Sequence, residues 1–343
     1  MSAVTIDYND LIDPNCNLSE QIAKAFGNTP GCLGACFVKN VPGLQPLRKE
    51  VLLKGSQLGA LPANELDEMV HPESTYFFGW SHGKEIMNGK PDFAKGSFYF
   101  NPIHEIPPIE DENFQSKYPI YGYPNIWPKS LPDMKDPSKE LGQLIIKVGR
   151  LIALHCDKYL KESFDDLPEK FLQNMIDDSL IHKARLLHYF PISKEDAEPT
   201  PDNQNLDSWC GLHVDHSVLT GLTSAMFVDE SSNSYPEVDR SNPEVAAALK
   251  DAGLYIKNKG EEFTQVKIPA DCLAFQIGEA AQVASRGMLV ATPHLVRGAA
   301  YPNMVRNTLA VFMQPNVNHE LKSGFTFNDF TDEVVARHFD KEH

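Results

Sequence analysis

The sequence predicts a mainly β protein with flanking helices, whose second half forms a sandwich or barrel. From about residue 181, short apolar segments recur between turn signals, which is typical of the strands of such folds. Before them, a segment near residues 136–159 repeats apolar residues at three- and four-residue steps, as a helix packed on a core does. We therefore expect a sheet structure supported by at least one long helix.

The length and composition indicate an ordinary globular protein. The chain has 343 residues, of which 42% are hydrophobic and 23% charged, enough for one large domain or two modest ones. No segment approaches the roughly 18 apolar residues of a membrane helix. The first residues, MSAVTIDYNDLIDP, lack the pattern of a secretory signal. We expect a cytoplasmic protein without a membrane partner.

The net charge is −16, and lysines and arginines form no cluster. Nucleic acids and anionic membranes would therefore be repelled, and we expect no nucleic-acid partner but a small-molecule substrate. The acidity itself indicates solubility.

The cysteines are scattered along the chain. Only Cys32 and Cys36 lie close together, and no second pair completes a zinc site. We expect free thiols in a reducing compartment. The six cysteines are Cys16, Cys32, Cys36, Cys156, Cys210 and Cys272.

Helices and a strand are predicted in the first half. Residues 19–26 begin at a serine and end before Gly27, as a short capped helix does. A strand is expected within residues 31–41. Asp136 and Pro137 are typical of a helix cap followed by a first-turn proline, so the long helix is expected to begin there.

The second half is predicted to contain strands. Alternating apolar segments start near residues 184, 211, 254, 263, 272, 288 and 307. A Lys-Gly turn predicts a hairpin over residues 254–268. Residues 229–253 are interpreted as an insertion at one mouth of the barrel that ends in a short helix. The tail after residue 317 is expected to form a helix packed outside.

The segment Leu212-His213-Val214-Asp215 is the candidate metal-binding segment. Residues two apart on a strand point to the same face, so His213 and Asp215 are expected to project together into the interior. His294 is the stronger candidate for a third ligand because its surroundings are apolar, whereas His319 lies in a polar stretch. His216 is expected to point away.

Two imidazoles and one carboxylate favour iron(II). They occupy one face of an octahedron and leave three positions for a chelating co-substrate and O₂. Zinc on the same side chains is the alternative, but zinc prefers four ligands and has no redox chemistry. Without a metal, His213 would be a hydrogen-bonded core histidine and Asp215 a turn or cap residue. We favour iron on His213, Asp215 and His294.

A candidate carboxylate-binding pair follows the third histidine. Arg306 and Thr308 open an apolar strand and share one face. A guanidinium beside a hydroxyl is well suited to hold a carboxylate. The alternative is a salt bridge to an internal acid. Arg297 is nearer to His294 but is expected to be exposed at the turn of Gly298.

With these residues, the sequence resembles the 2-oxoglutarate- and iron(II)-dependent dioxygenases of the isopenicillin-N-synthase-like class. Asn125-Ile126-Trp127-Pro128 resembles the NxWP element of plant members. Residues 254–296 are similar to the family stretch that ends in the distal histidine, and Arg306-x-Thr308 matches the family's R-x-S/T. The resemblance covers most of the chain.

The resemblance implies a double-stranded β-helix, or jelly-roll, core. It implies a catalytic core at residues 131–343 with an N-terminal lobe at residues 1–130. It further implies iron on the three candidate ligands, O₂, and 2-oxoglutarate with its distal carboxylate on Arg306 and Thr308. The implied activity is hydroxylation or desaturation of a small organic molecule, with 2-oxoglutarate converted to succinate and CO₂. The carboxylate ligand Asp215 argues against halogenation.

The sequence departs from the family pattern at two places. The family's Asn-Tyr-Tyr-Pro corresponds to residues 188–191, where Phe190 lacks a hydroxyl that helps to hold 2-oxoglutarate. His188 is either a replacement donor or a structural histidine. The insertion before Leu254 lengthens the spacing between Asp215 and His294. Residues 78–85 and 95–99 resemble a little-described subgroup and are interpreted as part of a packed lobe.

Two alternatives to this function stay open. An iron oxidase that does not use 2-oxoglutarate can employ Arg306 and Thr308 for its substrate's carboxylate. A catalytically silent binding module is disfavoured by the intact triad. The sequence does not indicate the substrate or the oligomeric state.

Overall fold

The chain is described here by a computed structural model that covers residues 3–87, 90–193 and 209–339. The strands are β1 Val4–Asp7, β2 Ala35–Lys39, β3 Gly79–His82, β4 Ile86–Met87, β5 Lys90–Pro91, β6 Lys95–Phe100, β7 Lys183–Tyr189, β8 Cys210–His213, β9 Leu219–Thr223, β10 Met226–Asp229, β11 Gly253–Lys257, β12 Phe263–Val266, β13 Leu273–Ile277, β14 His294–Arg297, β15 Met304–Met313, β16 Glu320–Lys322 and β17 Phe325–Thr326.

The α-helices of the same residues alternate irregularly with these strands. They are α1 Tyr8–Ile12, α2 Ser19–Phe26, α3 Leu44–Gly59, α4 Ala63–Glu68, α5 Phe114–Lys117, α6 Lys135–Lys161, α7 Phe171–Asp177, α8 Pro243–Leu249, α9 Glu279–Ala284 and α10 Phe327–Phe339. Within the described ranges, none of these helices is both long and apolar enough to cross a membrane.

Two sheets face each other around a cavity. The larger has the strand order β1-β2-β13-β9-β15-β7-β6-β3, with β10 also paired to β15, and the smaller has the order β12-β11-β14-β8. The chain passes repeatedly between the two sheets from β7 to β15, and side chains of both sheets line the cavity. The predicted mainly β fold with a jelly-roll core is therefore confirmed.

Helix α6 covers the outer face of the larger sheet. Its buried side chains Ile145 and Ile152 belong to the main hydrophobic core. The approach is close, because a Cβ added at Gly221 of β9 would overlap Ile145, and one at Gly149 of α6 would overlap Met313. The helix therefore holds the back of the sheet while the opposite face is left for the cavity.

Strands from the first hundred residues extend both edges of the larger sheet. β1 and β2 continue it beyond β13, and β6 and β3 continue it beyond β7. The division of the chain at residue 130 stays a prediction.

Most predicted elements are confirmed with shifted ends. The helix over residues 19–26, the hairpin of β11 and β12, the short helix α8 and the terminal helix α10 are present. The predicted strand at 31–41 is shorter, because Gly34 before it has a positive φ of 61°. The long helix begins at Lys135, so Asp136 and Pro137 lie in its first turn and Asp136 is not its cap.

Candidate metal centre

The three predicted ligands lie together at one end of the cavity. His213 ends β8 and pairs with His294 of β14 across an antiparallel ladder, so their side chains share a face, and their ring centres are 4.3 Å apart. Oδ1 of Asp215 lies 3.8 Å from Nε2 of His213 and 3.7 Å from Nε2 of His294. One ligand atom of each residue therefore lies within 4.8 Å of the others.

Asp215 reaches the site in a different way from the one predicted. Strand β8 ends at His213, so Asp215 lies in the following turn and strand alternation does not place it. Instead, the N–H of Glu279 donates to the carbonyl oxygen of Asp215 at 2.8 Å. This bond ties the turn to the end of β13, and the carboxylate then faces both imidazoles.

Backbone hydrogen bonds fix the two imidazoles. Nδ1 of His213 lies 2.7 Å from the carbonyl oxygen of Gly211, and Nδ1 of His294 lies 3.3 Å from that of Thr292. Each Nδ1–H can therefore donate to a carbonyl, which leaves the Nε2 lone pair directed at the shared site. This is the usual arrangement of metal-ligating histidines.

The pKa values of His213 and His294 are consistent with a site that holds positive charge. Burial, and then the neighbouring His213, lower the pKa of His294 to about 4, so this imidazole is neutral at pH 7. Burial also disfavours the charged form of His213, but Cys210 and Asp215 raise its pKa overall to about 9. The site thus attracts one positive charge, and a divalent metal would displace the proton.

The other two candidate histidines lie elsewhere. Nε2 of His216 is 2.8 Å from Oγ1 of Thr331, and its ring stacks on Phe330. His319 lies outside the cluster of ligand atoms. The choice of His294 and the exclusion of His216 agree with this placement.

The predicted carboxylate-binding pair lines the same cavity. Arg306 is 6% exposed, and its Nε and Nη1 have no hydrogen-bond partner among the described residues. Burial lowers its pKa, an effect that Tyr189 partly offsets. The hydroxyl of Thr308 donates to the carbonyl oxygen of Thr223 at 3.2 Å, and its oxygen can still accept. The alternative salt bridge of Arg306 is not found within the described ranges.

Comparison with known proteins gives matches in structure only. No family model and no curated protein sequence matches the chain. A 2OG-Fe(II) oxygenase family protein from Caulobacter crescentus superposes with a TM-score of 0.70 at 16% identity, over 98% of this chain and 100% of that one. A Neurospora crassa protein in complex with alpha-KG and thymine superposes with a TM-score of 0.66 at 17% identity, over 98% and 97%.

A third structure, JOX2 in complex with 2OG, Fe and JA, has a TM-score of 0.64 at 17% identity, over 97% of this chain and 85% of that one. All three cover nearly the whole chain. The chain has the fold of the 2OG-Fe(II) oxygenases.

Within this oxygenase fold, the hydroxyl-bearing residue of this segment that lines the cavity is Tyr189, the residue before Phe190. Tyr189 pairs with Arg306 and lines the cavity, and the guanidinium carbon lies 4.8 Å from the centre of its ring. His188 and Phe190 face the other way. Nδ1 of His188 is 2.8 Å from Oδ1 of Asn307, and the ring of Phe190 lies 4.8 Å from that of His82.

The sequence does not show which face of β7 is turned to the cavity, because both faces of the strand are buried. The ring of His188 lies against Gly59 of α3, while the cavity lies on the opposite face. A strand buried on both faces shows no polar alternation that fixes its orientation. The cavity face of β7 therefore carries Tyr189 and not Phe190, and His188, bonded to Asn307 on the other face, is the structural histidine of the two alternatives.

Two further cavity residues were missed in the sequence. Arg185 of β7 and Gln276 of β13 both line the cavity. The strand period of two, counted back from Tyr189, places Arg185 on the same face as Leu187. Gln276 is the single polar residue within the apolar strand Leu273–Ile277. A lone polar residue in such a strand is the sequence signal that could have identified it as a cavity residue.

The insertion lies at the Arg306 end of the oxygenase core, away from the metal triad. A second cavity, lined by Leu249 of α8, Phe227 and Arg240, reaches Arg306 from outside. The insertion therefore adjoins the predicted co-substrate end and leaves the metal end to other elements.

The unusual N-terminal segment forms β3 and β6 at one edge of the larger sheet, and it also supports the site. Nη2 of Arg185 lies 2.5 Å from Oε1 of Glu85 and 2.8 Å from Oγ of Ser97. Nζ of Lys95 lies 3.2 Å from Oε2 of Glu85 and also bonds Asp92. This cluster of two acids and two bases, in which Lys95 and Asp92 are buried and Glu85 is partly exposed, fixes Arg185 beside the cavity.

Proposed function

We propose that the chain is an iron(II)- and 2-oxoglutarate-dependent dioxygenase that hydroxylates or desaturates a small organic molecule, with conversion of 2-oxoglutarate to succinate and CO₂. The observation that carries the proposal is Arg306. A buried guanidinium with two unsatisfied nitrogens is costly, and it lies on the wall of the cavity that holds the His-Asp-His triad. An anionic ligand in that cavity would satisfy it.

The residues present fit both groups. His213, Asp215 and His294 would hold iron(II), because their ligand atoms lie within 4.8 Å of one another on the wall of the cavity. Arg306, Thr308 and Tyr189 would bind the distal carboxylate of 2-oxoglutarate. When bound, iron and 2-oxoglutarate supply the activation of O₂.

The protein's own residues then have defined tasks. Arg306 provides charge and orientation for the carboxylate. Apolar walls, among them Leu222 and Val296, exclude water and so strengthen these contacts. Gly211 and Thr292 accept the Nδ1 protons and keep Nε2 free for the metal.

The remaining proposals concern partners and location. We propose a small-molecule substrate, in line with the thymine and JA that structural relatives bind. The net charge of −16 supports the absence of a nucleic-acid partner. The six free cysteines support the cytoplasm. We also propose the division into a lobe at 1–130 and a core at 131–343.

The test begins with binding under anaerobic conditions. The protein is expected to take up one iron(II), and then 2-oxoglutarate. His294→Ala should abolish iron uptake, whereas the matched variant His319→Ala should retain it. Arg306→Leu should bind iron but lose 2-oxoglutarate.

Turnover then separates the alternatives. Under O₂, succinate formation supports the dioxygenase. Iron uptake without 2-oxoglutarate binding would favour the oxidase, and no iron uptake would favour the silent module.

A further inference from the structure

The cavity contains a second buried polar side chain, and no group of the described residues forms a hydrogen bond with it. Gln276 is 2% exposed and lines the cavity of the metal triad. Neither Oε1 nor Nε2 of its amide has a hydrogen-bond partner among the described residues. Because buried amides are almost always hydrogen-bonded, this side chain points to a ligand.

Gln276 lies at the metal end of the cavity. Strand pairing through β9 aligns it with Phe312, which follows Arg306 by six residues on β15, or about 20 Å along a strand. Three residues after Gln276, Glu279 donates its N–H to the carbonyl oxygen of Asp215 at 2.8 Å. Along the sheet, Gln276 therefore lies toward the metal triad and away from the co-substrate anchor Arg306.

Among the described residues, no unpaired arginine or lysine lines this end of the cavity. Apart from the imidazoles, the basic residues that line the cavity in the described ranges are Arg185 and Arg306. Arg185 is paired with Glu85 at 2.5 Å. Against the effect of burial, Arg185 and Lys95 lower the pKa of Glu85 to about 2, so it is an anion. With Arg306 bound to 2-oxoglutarate, no arginine or lysine that lines the cavity in the described ranges is left to pair with an anionic substrate.

The side-chain amide of Gln276 would bind a ligand group that offers both a hydrogen-bond donor and an acceptor. It offers one acceptor and two donor hydrogens. A carboxylate has only acceptors and would leave Oε1 of Gln276 facing another oxygen. An N–H next to a C=O satisfies both atoms at once. The half-buried ring of Phe312, two strands away across Thr220 on the same cavity wall, offers an apolar surface.

We propose that the substrate is an uncharged cyclic amide, a lactam or imide, whose N–H and C=O pair with Gln276 while its ring lies against Phe312. This inference rests on the proposed function and narrows its substrate class. It excludes free carboxylic acids as the main substrates.

The test measures binding without turnover. The protein is loaded with Ni(II) in place of iron, titrated with 2-oxoglutarate, and then titrated with each probe in a calorimeter. The cyclic amides are 2-piperidone, glutarimide and uracil, and the size-matched acids are cyclohexanecarboxylate and benzoate. We expect the cyclic amides to bind at least about tenfold more tightly than the acids.

Two variants assign the effect to Gln276. Gln276→Leu should weaken binding of the cyclic amides about tenfold or more, the loss of hydrogen bonds in a dry site, and leave 2-oxoglutarate affinity unchanged. Its unfolding midpoint without ligand should rise, because two unsatisfied polar atoms are removed. Gln57→Leu is the matched control, since Oε1 of Gln57 is also buried without a partner but does not line the cavity.

The outcomes are distinguishable. Tighter binding of the acids, or no binding of any cyclic amide while 2-oxoglutarate binds normally, overturns the inference and leaves the proposed function standing. A Gln276→Leu variant that unfolds more easily or binds 2-oxoglutarate differently shows a structural or co-substrate role and also overturns it. Failure of 2-oxoglutarate to bind in the first titration overturns the proposed function, and this inference with it.

Discussion

Replacing Tyr189 with phenylalanine removes a single hydroxyl from the cavity. The ring contact with Arg306, at 4.8 Å, and the contact with Trp209, at 5.4 Å between ring centres, are retained. The hydroxyl is expected to donate to the distal carboxylate of 2-oxoglutarate. A hydrogen bond to a charged group contributes about 1.5–3 kcal/mol, and about 1.4 kcal/mol corresponds to tenfold in affinity. The dissociation constant for 2-oxoglutarate should therefore rise between about tenfold and about a hundredfold.

The measurement is an anaerobic titration of 2-oxoglutarate into the iron-loaded protein. Phe190→Tyr is the matched control, because it adds the same hydroxyl on the opposite face of β7, next to His82. Its affinity for 2-oxoglutarate should equal that of the original protein. Unchanged binding by Tyr189→Phe, or tighter binding by Phe190→Tyr, would refute the orientation of β7 and restore the alignment inferred from sequence.

Three further predictions concern the affinity for iron, the pH dependence of stability, and the energetic cost of the buried Arg306. Gly278→Ala should lower iron affinity at least about tenfold in a metal titration, because a Cβ there would overlap the carbonyl oxygen of Ser217 and shift the turn that carries a ligand. Burial lowers the pKa of His182 from 6.5 to about 4, so only the unfolded state takes up this proton between those values. Urea unfolding should therefore show stability falling with decreasing pH, by about 1.4 kcal/mol per pH unit for this group, and His182→Asn should remove that part of the slope. Arg306→Leu should raise the unfolding free energy of the ligand-free protein by about 1–3 kcal/mol and abolish the stabilisation by 2-oxoglutarate; a less stable ligand-free variant would contradict this.

The grouping of the three candidate ligands could be predicted because its signal is local. His213 and Asp215 are two residues apart, and His294 stands in an apolar segment, so residue type and spacing sufficed. The turn that actually presents Asp215 depends on Glu279, which is distant in sequence, and was not predictable from spacing.

The orientation of β7 could not be predicted for a related reason. Its two faces are covered by α3 and by the cavity wall, so apolar and aromatic residues occur on both. Only the pairing of Tyr189 with Arg306 decides between them. In the same way, the partner of Arg185 is Glu85, a hundred residues earlier, and no short-range pattern connects the two.

The strands of the larger sheet that are synthesised first lie at its two edges. β2 needs β13 as a neighbour and β6 needs β7, and both partners are synthesised much later. Such long-range pairing slows folding, and the early strands have unpaired edges until their partners arrive. A fragment of residues 1–130 produced alone is therefore expected to aggregate, and during synthesis the growing chain has to be protected until β13 has left the ribosome.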